Sequence, residues 1–320
     1  MNDNQLYANG RVAVLSSKLF SQDKFLRLSD CNTVAEALKL LAENGYANAI
    51  TAESDDYETV LRDELDAALA LLKELCYDVN ALNFVLSKYD YLNAKALMKC
   101  KYMRVDGISY CYGEASVAPQ DMQRAIVSDD YSGFTKNMAE ACDAIDSVYA
   151  EGKRSPQIID VYLDRAMYAD LRVYAKKSSL KALKDMYAFD VDTTNLTLLY
   201  RVKKANLSAE VFADSILKGG EISRETLLKL WDNEQYCVDL PSRYKSFFEL
   251  CKADNADLSR AEEERKAETF KFITDNADLL SVQPVLEYFY KKVNEIEKVR
   301  RLLIGVKNGA DKDSLKDILK

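Results

Sequence analysis

What most constrains this chain is how little interrupts it. Its 320 residues contain only ten glycines and four prolines, well under the roughly 7 % and 5 % of average usage. A many-turned β-architecture consumes breakers at every corner, whereas long helices need few. The apolar pattern agrees, since nearly the whole length reads as amphipathic helix. The spacing predicts an all-α protein.

Several helix starts carry a local mechanism. Thr33-x-x-Glu36 reads as a capping box opening a short helix through Leu38, Leu40 and Leu41, stopped by Asn44-Gly45. Ser54 or Asp55 is expected to cap the next helix, which runs to about Cys76 with Val60, Leu61, Leu65, Ala68, Leu69 and Leu72 on one side. Ser155-Pro156 opens another, with Pro at the first helical position and a stripe of Ile158, Ile159, Tyr162, Leu163, Met167 and Leu171. Ser223-x-x-Thr226, Pro241 and Ser259 mark later starts, and Asn32, Gly45, Gly133, Gly152 and Gly219-Gly220 are the expected joints. Residues 104–118 lack helical periodicity and are expected to form an extended loop or hairpin.

The residue inventory excludes familiar chemistry. Histidine is absent, which removes Ser-His-Asp and Cys-His pairs, HExxH and Cys2His2 zinc sites, and histidine bases. No GxGxxG or GxxxxGK[ST] cradles a phosphate. The seven cysteines form no CxxC pair, so no metal site is expected. Adjacent acids such as Glu262, Glu263 and Glu264 read as a solvated helix face. The tyrosines from Tyr89 to Tyr112, and Trp231, read as packing residues. Gly305-x-x-x-Gly309 reads as a helix ending at Asn308-Gly309. The expectation is a non-enzyme without catalytic residues, cofactor or metal.

Charge narrows the partners. The net charge of −8 disfavours nucleic acid. Residues 291–320 hold nine Lys/Arg against five Asp/Glu, while residues 51–70 carry seven acids and only Arg62. Such runs read as solvated faces, or as docking surfaces for a partner of opposite sign. With no secretory signal and an odd number of cysteines, a cytoplasmic location with reduced, mostly buried thiols is expected. The longest apolar stretches, such as Ala67–Leu72, fall far short of the ~18 residues that span a bilayer.

A repeat runs beneath this pattern. It reads acid, two residues, Asn, and a basic residue two further on: Asp90-Tyr-Leu-Asn93-Ala-Lys95, then Asp192-Thr-Thr-Asn195-Leu-Thr197. Degenerate copies are Leu6-Tyr-Ala-Asn9-Gly-Arg11 and Glu295-Ile-Glu-Lys298-Val-Arg300, and Lys18, Lys204 and Lys307 sit nine residues past the Asn position. The repeat is read as helix initiation, with Asn9, Asp90, Asn93, Asp192, Asn195 and Glu295 as cap residues. Its period, near 100 residues, exceeds the ~34–47 of common helical solenoids. Three bundle-like modules fit better, and the two chain termini are expected to pair within one of them.

These residues resemble the C subunit of the V/A-type rotary ATPases, the counterpart of the eukaryotic d subunit. The resemblance rests on Tyr7-Ala-Asn9-Gly-Arg11-Val-Ala-Val-Leu15-Ser-Ser-Lys18-Leu19, on Pro156-Gln-Ile-Ile-Asp160 with Leu163-Asp164-Arg165, on Asp192-x-x-Asn195-Leu196 with Leu199, and on the tail from Glu295 to Gly309. Lys298 in place of Asn, Thr197 in place of a cation, and Gly10 inside the first helix depart from the pattern. The resemblance implies three similar helical modules around a pseudo-threefold axis in a funnel shape, here 1–89 with 291–320, 90–191, and 192–290. It implies a non-catalytic rotor component between the D/F central stalk and the membrane proteolipid ring. It would be attached peripherally through that ring, linking ATP hydrolysis or synthesis to H⁺ or Na⁺ transport. Arg11, Lys95, Lys204 and Arg300 are then the candidate partner contacts. The alternative reading is a generic all-α scaffold or adaptor unrelated to rotary ATPases.

Overall fold

The computed structural model describes residues 3–46, 49, 56–252, 258–275, 278, 280–317 and 319. In chain order the helices are α1 (Asp3–Ser16), α2 (Gln22–Ser29), α3 (Val34–Glu43), α4 (Tyr57–Leu75), α5 (Val79–Met103), α6 (Pro119–Ser128), α7 (Lys136–Ala150) and α8 (Pro156–Lys177). Then follow α9 (Lys181–Lys204), α10 (Ala209–Ser215), α11 (Arg224–Asp232), α12 (Ser242–Lys252), α13 (Leu258–Thr274), α14 (Gln283–Lys307) and α15 (Lys312–Asp317). No strand occurs among the described residues, and the fold is all-α.

Many of the local signals act where the sequence places them. Thr33 caps α3 by accepting from the Glu36 N–H (3.2 Å), and Glu36 reaches back to the Asn32 N–H (2.8 Å). Asn44 and Gly45, the latter at φ 102°, end that helix. Ser155-Pro156 opens α8, and Ser223 caps α11 through the Thr226 N–H. α14 ends at Lys307, with Asn308 at its C-cap and Gly309 at positive φ. Ser54 and Asp55 lie outside the described residues, as does the side chain of Ser259.

Residues 1–77, 108–122 and 278–320 form one compact unit, and residues 78–107 and 123–277 a second. In the first, the central element is α14, which packs on α1, α2, α3, α4 and α15. The two ends of the chain therefore meet there. Buried Leu286, Phe289, Ile296, Val299, Leu302 and Leu303 of α14 share this core with Leu61, Leu65, Leu69 and Leu72 of α4. Each fully buried leucine contributes about 2 kcal/mol of transfer free energy.

Residues 108–118 are a loop with one 3-10 turn at Ile108–Tyr110, not a hairpin. They lie along α4 because its polar face holds them. Arg62 donates to the Ser109 carbonyl, Asp66 accepts from the Gly113 (3.4 Å) and Glu114 (3.2 Å) N–H groups, and Lys73 pairs with Glu114 at 2.9 Å. The acidic run finds opposite charge within its own unit, as Glu58 meets Arg300 (3.0 Å) and Glu64 meets Lys292 (2.7 Å).

The second unit has two packing centres. α8 packs on α5 and α7, while α9 packs on α10, α11, α12 and α13 as well as on α8. Around α9, the residues Phe189, Leu196, Leu199, Phe212, Tyr244, Phe247 and Phe248 form one buried cluster, with Trp231 stacked on Phe212 at 5.3 Å.

The repeat residues do not cap helices. Asn9 lies inside α1, Asp90 and Asn93 inside α5, Asp192 and Asn195 inside α9, and Glu295 inside α14. Those helices begin further upstream because nothing there breaks them. Asp78 caps α5 through the Asn80 (2.9 Å) and Ala81 (3.0 Å) N–H groups, whereas Leu180 and Val282, at the starts of α9 and α14, make no side-chain cap.

Candidate functional site: polar staples in the middles of the long helices

Mid-helix acids and amides ordinarily face water, yet all of these but the half-buried Asn9 are buried. Relative exposure is 0 % for Asp192, 1 % for Asn195 and Asn93, 4 % for Glu295 and 7 % for Asp90. Spacing of three places acid and Asn on one helix face. A buried polar group needs a partner, and for α9 and α14 that partner is a distant turn.

On α9 the Asp192 carboxylate accepts from the Glu221 N–H (2.7 Å) and the Ile222 N–H (3.2 Å). One turn along, Asn195 Nδ2 donates to the Leu217 carbonyl (3.0 Å), and the Leu217 N–H donates back to Asn195 Oδ1 (2.8 Å). Together the pair grips residues 217–222, which lead directly into the Ser223 cap of α11. Gly219 makes the turn at φ 110°, and a Cβ on Gly220 would collide with the Asp192 carboxylate. Burial pushes the Asp192 carboxyl up to about 6 despite the hydrogen bonds it accepts.

α14 repeats this logic with different chemistry. Glu295 Oε2 accepts from the Phe20 N–H (2.6 Å), the residue just before the Ser21 cap of α2. Its Oε1 accepts from Tyr46 Oη (3.0 Å) and from Lys292 Nζ (2.7 Å). Burial would pull Lys292 down, but Glu295 and Glu64 outweigh it and leave its pKa raised. On α1, Asn9 Nδ2 donates to the Ser281 carbonyl (3.1 Å), next to the start of α14.

The four candidate contact cations are divided between the two units. Arg11 pairs with Glu74, Arg300 with Glu58 and Lys95 with Asp164 (2.5 Å). Lys204 is the exposed last residue of α9, with no salt bridge among the described residues. Arg11 and Arg300 belong to the first unit, Lys95 and Lys204 to the second.

Other buried carboxylates had no sequence signal. Asp170 accepts from Tyr91 Oη (2.7 Å), Thr135 Oγ1 (2.5 Å) and Asn137 Nδ2 (2.6 Å), joining α5, α8 and the start of α7. Asp190 meets Arg265 of α13 and, at 3.7 Å, Lys88 of α5. Burial alone would raise Asp190, but Lys88 and Arg265 hold it below the usual carboxylate range. Nothing in a linear pattern distinguishes these acids from surface ones. Among the described residues no group of His, Cys, Asp or Glu is arranged to hold a metal, and no helix is long and apolar enough to cross a membrane.

The geometry defines an all-α body whose long helices clamp the turns between their neighbours. The chain belongs to the ATP synthase (C/AC39) subunit family, whose model matches residues 8–318. It is 24 % identical over 335 residues to the C subunit of the A-type ATP synthase of Thermococcus onnurineus, covering 98 % of this chain and 89 % of the relative. Against the C subunit of the A-type ATP synthase of Methanococcoides burtonii it is 21 % identical, covering 99 % and 94 %. Against the C subunit of the V-type ATP synthase of Thermus thermophilus it is 23 % identical, covering 75 % of each.

Proposed function

We propose that this chain is the non-catalytic central-rotor component of a V/A-type ATPase or ATP synthase. It joins the D/F central stalk to the membrane proteolipid ring, so that ATP turnover is linked to H⁺ or Na⁺ transport, and it sits on the cytoplasmic side, held to the membrane through the ring. The family match across residues 8–318 carries this reading. The physical support is stiffness. A torque adaptor works against a load of ~2.3 kcal/mol per charge per 100 mV, and a body whose inter-helix turns are held by buried hydrogen bonds resists shear better than one held by apolar contact alone, which is non-directional.

Three modules about a pseudo-threefold axis, in a funnel, complete the proposal. It is supported by one polar-stapled or polar-centred long helix in each stretch: α14, α5 and α9. Arg11, Lys95, Lys204 and Arg300 are its partner contacts. Deleting the chain from its native cells is expected to abolish ATP-driven ion uptake by membrane vesicles, and uptake at full rate would overturn the reading. Arg300→Ala with Lys95→Ala is expected to weaken stalk binding, and unchanged affinity in a folded protein would confine those cations to their internal pairs.

A further inference from the structure

One corner of the second unit carries cations that form no salt bridge among the described residues. From Leu171 to Lys184, where α8 ends and α9 begins, the chain holds Arg172, Lys176, Lys177, Lys181 and Lys184 and no acid, in a protein of net charge −8. All five side chains are exposed. None forms a salt bridge with a described residue, whereas Lys73, Lys95, Lys99 and Lys101 each pair with a carboxylate. The neighbouring acids are engaged elsewhere. Asp78 accepts from Ser178 Oγ (2.9 Å) and from the Ser179 N–H (2.9 Å) and Oγ (2.8 Å), Asp170 is buried among Tyr91, Thr135 and Asn137, and half-buried Asp185 faces Arg243. Lys181 and Lys184 also sit in the first turns of α9, where the helix dipole opposes positive charge. Lys176 and Lys177 lie in the last turn of α8, where the dipole favours cations, so it is the addition of Lys181 and Lys184 beside them that helix formation does not explain.

We propose that this α8–α9 corner is a membrane-surface contact that binds the headgroups of anionic phospholipids. Composition decides between a lipid layer and an acidic protein. Protein interfaces favour Arg and exposed aromatic anchors and are depleted in Lys. Here four of the five cations are lysines, Tyr168 and Tyr187 are buried, and the exposed apolar residues are Val173 and, on either side of Asp78, Val79 and a single aromatic, Tyr77. Point charges on long stems suit a diffuse anionic surface, to which each Lys or Arg held near it contributes about 1 kcal/mol. The contact goes beyond the rotor reading and stands without it, because purified chain and protein-free vesicles contain no rotary complex.

The test is flotation of the purified full chain with vesicles of phosphatidylglycerol and phosphatidylcholine. Binding is expected at 50 mM salt, at least tenfold weaker at 300 mM as screening shortens the electrostatic reach, and absent on pure phosphatidylcholine. Replacing Lys176, Lys177, Lys181 and Lys184 together with Gln is expected to lower vesicle affinity at least tenfold with an unchanged far-UV circular dichroism spectrum. A control with Lys136→Gln, Lys153→Gln and Lys245→Gln is expected to keep it. No flotation at 50 mM salt, equal loss in the control, or undiminished binding by the quadruple variant overturns the proposal. So does retention on an acidic polypeptide such as polyglutamate without vesicle binding, which would assign the corner to a protein.

Discussion

Asp192 on α9 and Glu295 on α14 occupy matching places in the repeat and do matching work, each holding the backbone just before a capped helix. They differ in how their charge is met. Glu295 has a cation at hydrogen-bond distance, and that Lys292 has a second carboxylate in Glu64. Among the described residues Asp192 is met by dipoles, namely two backbone N–H groups and the Tyr244 hydroxyl, so burial prevails and its carboxyl rises to about 6. A buried acid therefore makes a staple either by ion pairing or by holding its proton to a higher pH. The first rests on the Lys292 ammonium held against Glu295, and the second is sensitive to pH around 6.

The largest effect expected from this contrast is in the first unit. Lys292→Ala leaves Glu295 buried without its cation and is expected to cost about 3–5 kcal/mol of unfolding free energy in a urea titration at pH 7. A cost no greater than that of Asp192→Asn would erase the distinction between the two staples. Next comes pH. The rise of Asp192 from 3.8 to about 6 corresponds to about 3 kcal/mol. Below about pH 4 both folded and unfolded chains hold the proton and this contribution to stability is full. Between pH 4 and 6 the unfolded chain releases the proton while the native state keeps it, so stability falls as pH rises. The cost of Asp192→Asn, measured as wild type minus variant, is therefore expected to shrink from pH 4 to pH 7, and a cost independent of pH would place the carboxylate in an unperturbed setting.

Gly220→Ala sharpens the comparison geometrically. The new methyl would displace the turn from Asp192, for a cost of about 1–3 kcal/mol, with faster hydrogen exchange at the Glu221 and Ile222 amides and none at Phe20. Smallest is the amide pair. Asn195→Ala loses a reciprocal bond to Leu217 and is expected to cost about 2 kcal/mol, against about 1 kcal/mol for Asn9→Ala, which loses a single bond to Ser281. Equal costs in thermal melts would show that the second bond on α9 adds nothing.

Reading the sequence succeeded where the cause is local. A capping box such as Thr33-x-x-Glu36, a Ser-Pro start such as Ser155-Pro156, and an Asn-Gly stop such as Asn308-Gly309 each act within a few residues, so neighbouring letters contain both donor and acceptor. The repeat was visible too, as four copies in order, but its meaning was inverted. Asp192 looks like a helix starter because Asp caps helices well, and only the position of Ile222, thirty residues on, reveals whose N–H it accepts. Tyr46, 249 residues from Glu295, escaped notice for the same reason, whereas Lys292 is only three residues away and its pair with Glu295 reads as an ordinary helix-surface pair until burial is known.

The all-α class and the helix ends with local caps were determined by composition and spacing alone, because helix formation and capping are short-range. Which buried acid holds which turn, which cations are neutralised, and whether a carboxyl keeps its proton were decided only by tertiary structure. Those outcomes depend on burial and on donors brought close in space, and a hydrogen bond spanning 30 or 275 residues leaves no trace in the local order of the chain.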